Sequence, residues 1–305
     1  TWAITHSAET LENYLQEILM DDTIITILLP TRGRTEVLKK SLETLVSKAK
    51  HPKRIEIILG LDNDDDEVKQ YIEDEIAPYL RKNQIECRAN IFEPLGYENL
   101  HTYVNTLAGS ATGEWLFFWN DDALMISDNW DETITSYNGQ FKLLAPCDNH
   151  NGHPYAILPI VPKDWFRLLD HLSQNAQNDA WLSHIAYMLD IFVRIDVEIL
   201  HDRADLTGNN DDETFQNRNY MEGNPDDPRD FAHPDMQNAR VRTAYKIAWF
   251  LERIGQKSEF WEQVKAGDQD PFEHMKWGDD VKGAGQLASV DSHKKKIDDE
   301  ETLTL

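Results

Sequence analysis

Residues 114–122 read Glu114-Trp115-Leu116-Phe117-Phe118-Trp119-Asn120-Asp121-Asp122: five apolar residues in a row and then, with no spacer, an amide and two acids. A continuous apolar run of this length suits a strand buried on both faces. Acids delivered at the tip of such a strand are partly stripped of water, and a divalent cation is their natural partner. The plainer alternative is a solvated turn, because Asn and Asp favour turns after strands.

Upstream, the pattern alternates. An apolar, β-branched run from Ile24 to Leu29 ends at Pro30 and is followed by a helical stretch from Glu36 to Ala49. Ile55 to Leu61, Gln84 to Phe92 and Trp115 to Trp119 read as further strands, with helices over Val68 to Leu80 and Asn99 to Leu107 between them. Strands that alternate with helices predict a mostly parallel central sheet covered by helices on both faces. Beyond Asp122 the rhythm loosens, with shorter strands at Phe141 to Ala145 and Tyr155 to Ile160, a helix at Ala180 to Leu189 and a strand at Phe192 to Ile199. The expected divisions are a helix in residues 1–22, the α/β domain in 23–200, a polar loop in 201–234, and a helical extension with an acidic tail in 235–305. A polar loop that long inside a compact domain is usually functional or disordered.

Ligands of open α/β sheets sit beyond the carboxyl ends of the strands. Three strand ends here are dense in charge: Pro30-Thr31-Arg32-Gly33-Arg34, Asp62-Asn63-Asp64-Asp65-Asp66 and Asn120-Asp121-Asp122. A parallel sheet brings all three to one edge. Carboxylates for a divalent metal beside cationic donors for bare oxygens are what a diphosphate requires.

The chain carries a formal net charge of −25, which disfavours nucleic acid and anionic lipid as general partners. No apolar run is long enough to predict a membrane span, and Thr1 to Leu11 lack the layout of a secretory leader. The two cysteines, Cys87 and Cys147, sit apart in expected strands, which suits a reducing, cytoplasmic compartment. No phosphate loop of the Gly-x-x-x-x-Gly-Lys type and no His-Glu-x-x-His helix occurs. Asp62, Asp64, Asp66 and Glu73 imitate a calcium-binding loop, but Glu67 stands where its sharp turn needs Gly.

Around residues 105–122 the chain resembles the inverting glycosyltransferases of family 2, which have the GT-A fold. Asn105, Ala111, Gly113, Glu114, Trp115, Asn120 and Asp122 match the spacing of that family's Asn-x-Gly, Ala-x-Gly-Glu-Tyr and Asp-x-Asp pattern. Leu29-Pro30-Thr31-Arg32-Gly33-Arg34 is similar to its first strand and nucleotide turn. The departures are Asn120 for the first acid of Asp-x-Asp, Leu107 for the Gly of Asn-x-Gly, and Asp62-Asn63-Asp64 in place of Asp-Asp-Gly-Ser.

The resemblance implies an α/β chain of GT-A type that moves a sugar, with inversion, from a nucleotide-diphospho-sugar (UDP by family habit) to an acceptor hydroxyl on a glycan or other molecule. Asp122 would be the principal ligand of Mn2+ or Mg2+. Pro30, Thr31, Asp62, Asn105, Asn120 and Asp121 would line the nucleotide, with Arg32 and Arg34 as phosphate contacts on charge and position. Asp179, in Asn178-Asp179-Ala180-Trp181-Leu182, would be the general base; capping a helix is the competing job for an Asp there. His201 would be a second metal ligand or else a surface residue. Two other readings of the same residues are a non-catalytic relative that binds nucleotide or glycan, and a metal-dependent phosphatase.

Overall fold

The computed structural model describes residues 24–148, 154–201 and 227–268. The expected first helix, most of the polar loop and the acidic tail lie outside the described residues. The strands are β1 (Ile25–Thr31), β2 (Ile55–Asp62), β3 (Glu86–Phe92), β4 (Trp115–Phe118), β5 (Ala123–Met125), β6 (Leu143–Asp148), β7 (Ile160–Pro162) and β8 (Phe192–His201). They form one eight-stranded sheet in the order β3-β2-β1-β4-β7-β6-β8-β5. The first four neighbours run parallel, β6 and β8 are also parallel, and the pairs β4–β7, β7–β6 and β8–β5 are antiparallel.

Helices α1 (Thr35–Ser47), α2 (Asp66–Tyr71), α3 (Ala77–Lys82), α4 (Leu100–Ser110), α5 (Trp130–Thr135), α6 (Lys163–Leu169), α7 (Asn178–Met188), α8 (Pro234–Arg253) and α9 (Glu259–Ala266) cover both faces. A π-turn at Ile72–Ile76 joins α2 to α3 without a break. Because side chains alternate along a strand, β1 feeds two cores. Ile25, Ile27 and Leu29 pack with Leu38, Leu42 and Leu45 of α1, while Leu28 packs with Val104 and Leu107 of α4. The second core continues through Trp165 and Trp181 to Ala244, Ile247 and Leu251 of α8, so the helical extension is docked on the sheet's own core.

Three expectations need correction. Tyr155 to Ile160 is not a strand; only Ile160–Pro162 is, where β7 meets β4. Pro159 and Pro162 supply no N–H to a ladder, which confines the pairing to a short antiparallel piece. β3 is not buried on both faces, since it is the sheet's edge and its residues are exposed or half-buried. The strand β5 and the short helices α5 and α6 have no counterpart in the sequence-based expectation.

Candidate functional site

The register that aligns Thr31 with Leu61 across β1 and β2, and Leu28 with Phe118 across β1 and β4, carries the three charged strand ends to one edge. There the chain leaves β4 through a tight turn, closed by Ala123 N–H donating to the Asn120 carbonyl at 3.1 Å. Ser41 of α1 holds this turn from below, accepting from Trp119 Nε1 at 2.8 Å and donating to the Ala123 carbonyl at 2.6 Å. Asp121 and Asp122 are thereby fixed as buried carboxylates.

Asp121 accepts Thr31 Oγ1 at 2.7 Å on one oxygen and meets Arg34 Nη2 at 2.7 Å on the other. Asp122 lies 3.4 Å from Arg34 Nη1 through Oδ2 and 3.1 Å from His201 Nε2 through Oδ1. His201 is the last residue of β8 and is buried, which removes the surface-residue reading. Its place follows from the β5–β8 ladder, where Ala123 is paired with His201. Asn120 Nδ2 lies 3.0 Å from the same His201 nitrogen. Burial pushes the Asp122 carboxyl up, but the imidazole of His201 and the charge of Arg34 more than offset it and hold the pKa at about 2.

Arg32 faces the second cluster, donating to Asp62 Oδ2 at 2.8 Å and to both oxygens of Asp64 at 2.5 and 3.1 Å. The hydrogen bond to Asp64 raises the guanidinium's pKa and lowers the Asp64 carboxyl's. The other oxygen of Asp62 accepts the hydroxyl of Tyr103 from α4. Burial and that carboxylate push the Tyr103 phenol up to about 12, so it remains a donor. Tyr103 escaped notice in the sequence because it occupies an apolar position of α4 and has no motif of its own. Gly33 turns the chain between the two arginines with φ +69° and donates its N–H to Asp65 Oδ2 at 2.8 Å.

The site therefore gathers Pro30, Thr31, Arg32, Arg34, Asp62, Asn120, Asp121, Asp122 and His201. Asn105 has a different task. Its amide donates to the Ser173 carbonyl at 2.7 Å and accepts from Leu172 N–H at 2.7 Å, so it braces the chain leading into α7. Asp179 is half-buried in the first turn of α7, where Gln177 and not Asp179 is the N-cap residue.

Among the described residues no group of three or more His, Cys, Asp and Glu surrounds one point. The pair Asp122 and His201 still fits a divalent ion. Asp122 Oδ1 is buried and makes no well-directed hydrogen bond, although His201 Nε2 is 3.1 Å away. Two adjacent ligands of an octahedral ion at ~2.1 Å stand about 3 Å apart. Magnesium-like ions commonly take only one or two protein ligands and complete their shell with phosphate oxygens and water.

No protein-family model matches the chain, and neither does any curated protein sequence. Its likeness is to solved structures. Residues 1–349 of TarS from Staphylococcus aureus, in complex with UDP-GlcNAc, match with a TM-score of 0.54 at 12% identity, over 82% of this chain and 72% of that one. A mannosyltransferase from Pyrobaculum calidifontis, PcManGT, in complex with GDP-Man and Mn2+, gives 0.49 at 12% identity over 84% and 86%. In another crystal structure of TarS 1–349 the match is 0.42 at 13% identity, and this chain spans 59% of that one. At such identities the first of these carries a likeness of fold and the looser two add nothing to it: the chain has an α/β fold of the GT-A type, with a curled, mostly parallel sheet.

Proposed function

We propose that this chain is a metal-dependent glycosyltransferase that binds a nucleotide-diphospho-sugar, with UDP as its nucleotide, and moves the sugar with inversion to an acceptor hydroxyl. The observation that supports it best is the convergence of Arg32, Arg34, Asp62, Asp121, Asp122 and His201 on one sheet edge of a GT-A-type fold. Thr31 and Asp62 hold the base and ribose, with Tyr103 fixing the Asp62 carboxylate. Arg32, Arg34 and the N-terminus of α1, which has no side-chain cap, offer donors to the diphosphate. A divalent cation held by Asp122 and His201 would stabilise the charge that develops on the leaving diphosphate. Asp179 takes the acceptor's proton as its oxygen attacks the anomeric carbon and the bond to the diphosphate breaks; displacement from the opposite side inverts that carbon. Calorimetry with UDP and Mn2+, followed by UDP release from UDP-sugars with and without EDTA, tests this. Absence of metal-dependent binding would defeat it.

Asn120, in the first position of the acidic motif and 3.0 Å from His201, favours a second reading, a nucleotide-binding module without turnover. Slow metal-dependent hydrolysis of the donor in the absence of acceptor separates the two.

A further inference from the structure

The carboxylates of Asp121 and Asp122 already share a cation, and it belongs to the protein. One guanidinium nitrogen of Arg34 is 2.7 Å from Asp121 and the other is 3.4 Å from Asp122, so the fork spans both acids where a divalent ion would draw its charge balance. The three side chains differ in freedom. Asp121 and Asp122 are 3% and 11% exposed, while Arg34 is 32% exposed and covers them from the solvent side. The residue before it is Gly33, in the left-handed region at φ +69° with no atom within 4 Å of where a Cβ would stand. The arginine is thus the most exposed member of the cluster, with open space beside the residue before it, and the acids are its buried members.

We propose that Arg34 occupies the metal's electrostatic place until the donor's diphosphate draws it away, so that metal and donor enter together and metal alone binds weakly. The proposal rests on the nucleotide-diphospho-sugar reading above. A diphosphate offers the guanidinium paired oxygens for a two-pronged contact, whereas its contact to Asp122 is a loose 3.4 Å. Once it turns outward, the two acids regain their unbalanced charge inside a partly buried site, where attraction for a cation is strongest. Binding of either ligand then strengthens the other by the same factor, as linkage requires. Arg34 becomes a selector: free divalent ions without a diphosphate are kept out, and the empty site avoids two unpaired buried acids.

The experiment is binding of Mn2+ alone, read from the loss of its free-ion electron paramagnetic resonance signal, to wild type, Arg34→Gln and Arg34→Lys. Each is measured again with UDP at saturation. Arg34→Gln should bind Mn2+ alone about tenfold tighter than wild type, or more, because a full charge has left the site. Its further gain on adding UDP should be smaller than the wild-type gain. Arg34→Lys keeps the charge and should stay within about threefold of wild type for Mn2+ alone. If Arg34→Gln binds Mn2+ no tighter than wild type while UDP still recruits Mn2+ to wild type, the proposal is overturned and the nucleotide reading stands. A lysine variant as tight as the glutamine variant also overturns it. If UDP recruits no Mn2+ to any of the three, both the proposal and the reading beneath it fail.

Discussion

At Asp122 three effects meet in one carboxyl: burial, a histidine and an arginine. Its pKa is depressed from 3.8 to about 2, so the folded state is favoured whenever the group is ionised. That contribution is complete above the unfolded value and is lost as the pH falls toward the folded one, a window from about 4 down to about 2. Relative to Asp122→Asn, wild type should therefore lose about 1 kcal/mol of its urea-unfolding free energy between about pH 5 and about pH 3. A difference that stays constant with pH would count against the ion pairing described here. Asp179 gives a cleaner contrast between chemistry and structure. Asp179→Asn should keep its melting temperature and UDP affinity while transfer slows by about 10²–10⁴-fold, the usual range for losing a general base; an asparagine that transfers sugar at the wild-type rate puts the base elsewhere. Gly113, part of the Ala-x-Gly-Glu-Trp pattern, owes its identity to space. A Cβ there would lie 2.5 Å from Thr26 Oγ1 and 2.6 Å from the Ile24 carbonyl. Gly113→Ala should cost about 1–3 kcal/mol, as overpacking typically does, and differential scanning calorimetry would read it as a lower melting temperature.

Among the elements, α8 adds one buried polar tie to the apolar face by which it packs on the core. Arg240 is fully buried, donates Nε to His184 Nδ1 of α7 at 2.8 Å and Nη1 to the Phe231 carbonyl at 2.9 Å, and lies 3.7 Å over the Phe231 ring. Arg240→Ala should cost on the order of 3 kcal/mol, since it opens a cavity and strips a buried carbonyl of its donor. Arg240→Lys should recover little, because a point charge cannot reproduce a planar fork. Chemical denaturation of both variants checks this; full rescue by Lys would contradict it. The longer elements are legible from periodicity alone: the helix expected over Glu36 to Ala49 runs Thr35–Ser47, and the helical extension expected from residue 235 opens with α8 at Pro234–Arg253. What was hidden is short. β5 has three residues and α5 six, too few for a period to register, and both are specified by tertiary partners such as Thr44 Oγ1 accepting Met125 N–H at 3.0 Å. The acids and arginines of the site were visible because strand ends of a parallel sheet must share an edge. Tyr103, Ser41 and the true task of Asn105 were not, because each depends on contacts between elements far apart in the chain.

Over the whole molecule, 55 acidic side chains face 30 basic ones, and the excess charge repels itself. Raising salt from about 0.01 M to about 0.15 M shortens the screening length from about 30 Å to about 8 Å, so the melting temperature should rise over that range; a fall would show that attractive surface pairs dominate instead. The same molecule has an order of strands with a topological peculiarity. β4 and β5 are neighbours in sequence, separated only by residues 119–122, yet β7, β6 and β8 stand between them in the sheet. The sheet must curl until its last strand returns to the tip of its fourth. Asp122 stands on one side of that return and His201 on the other, joined by a ladder of three paired residues, 123–125 with 199–201. An ion gripped by both would therefore act as a fastener between the turn that leaves β4 and the end of β8. Its tightness would be felt as slower amide exchange along β5 and β8, well away from any atom it touches.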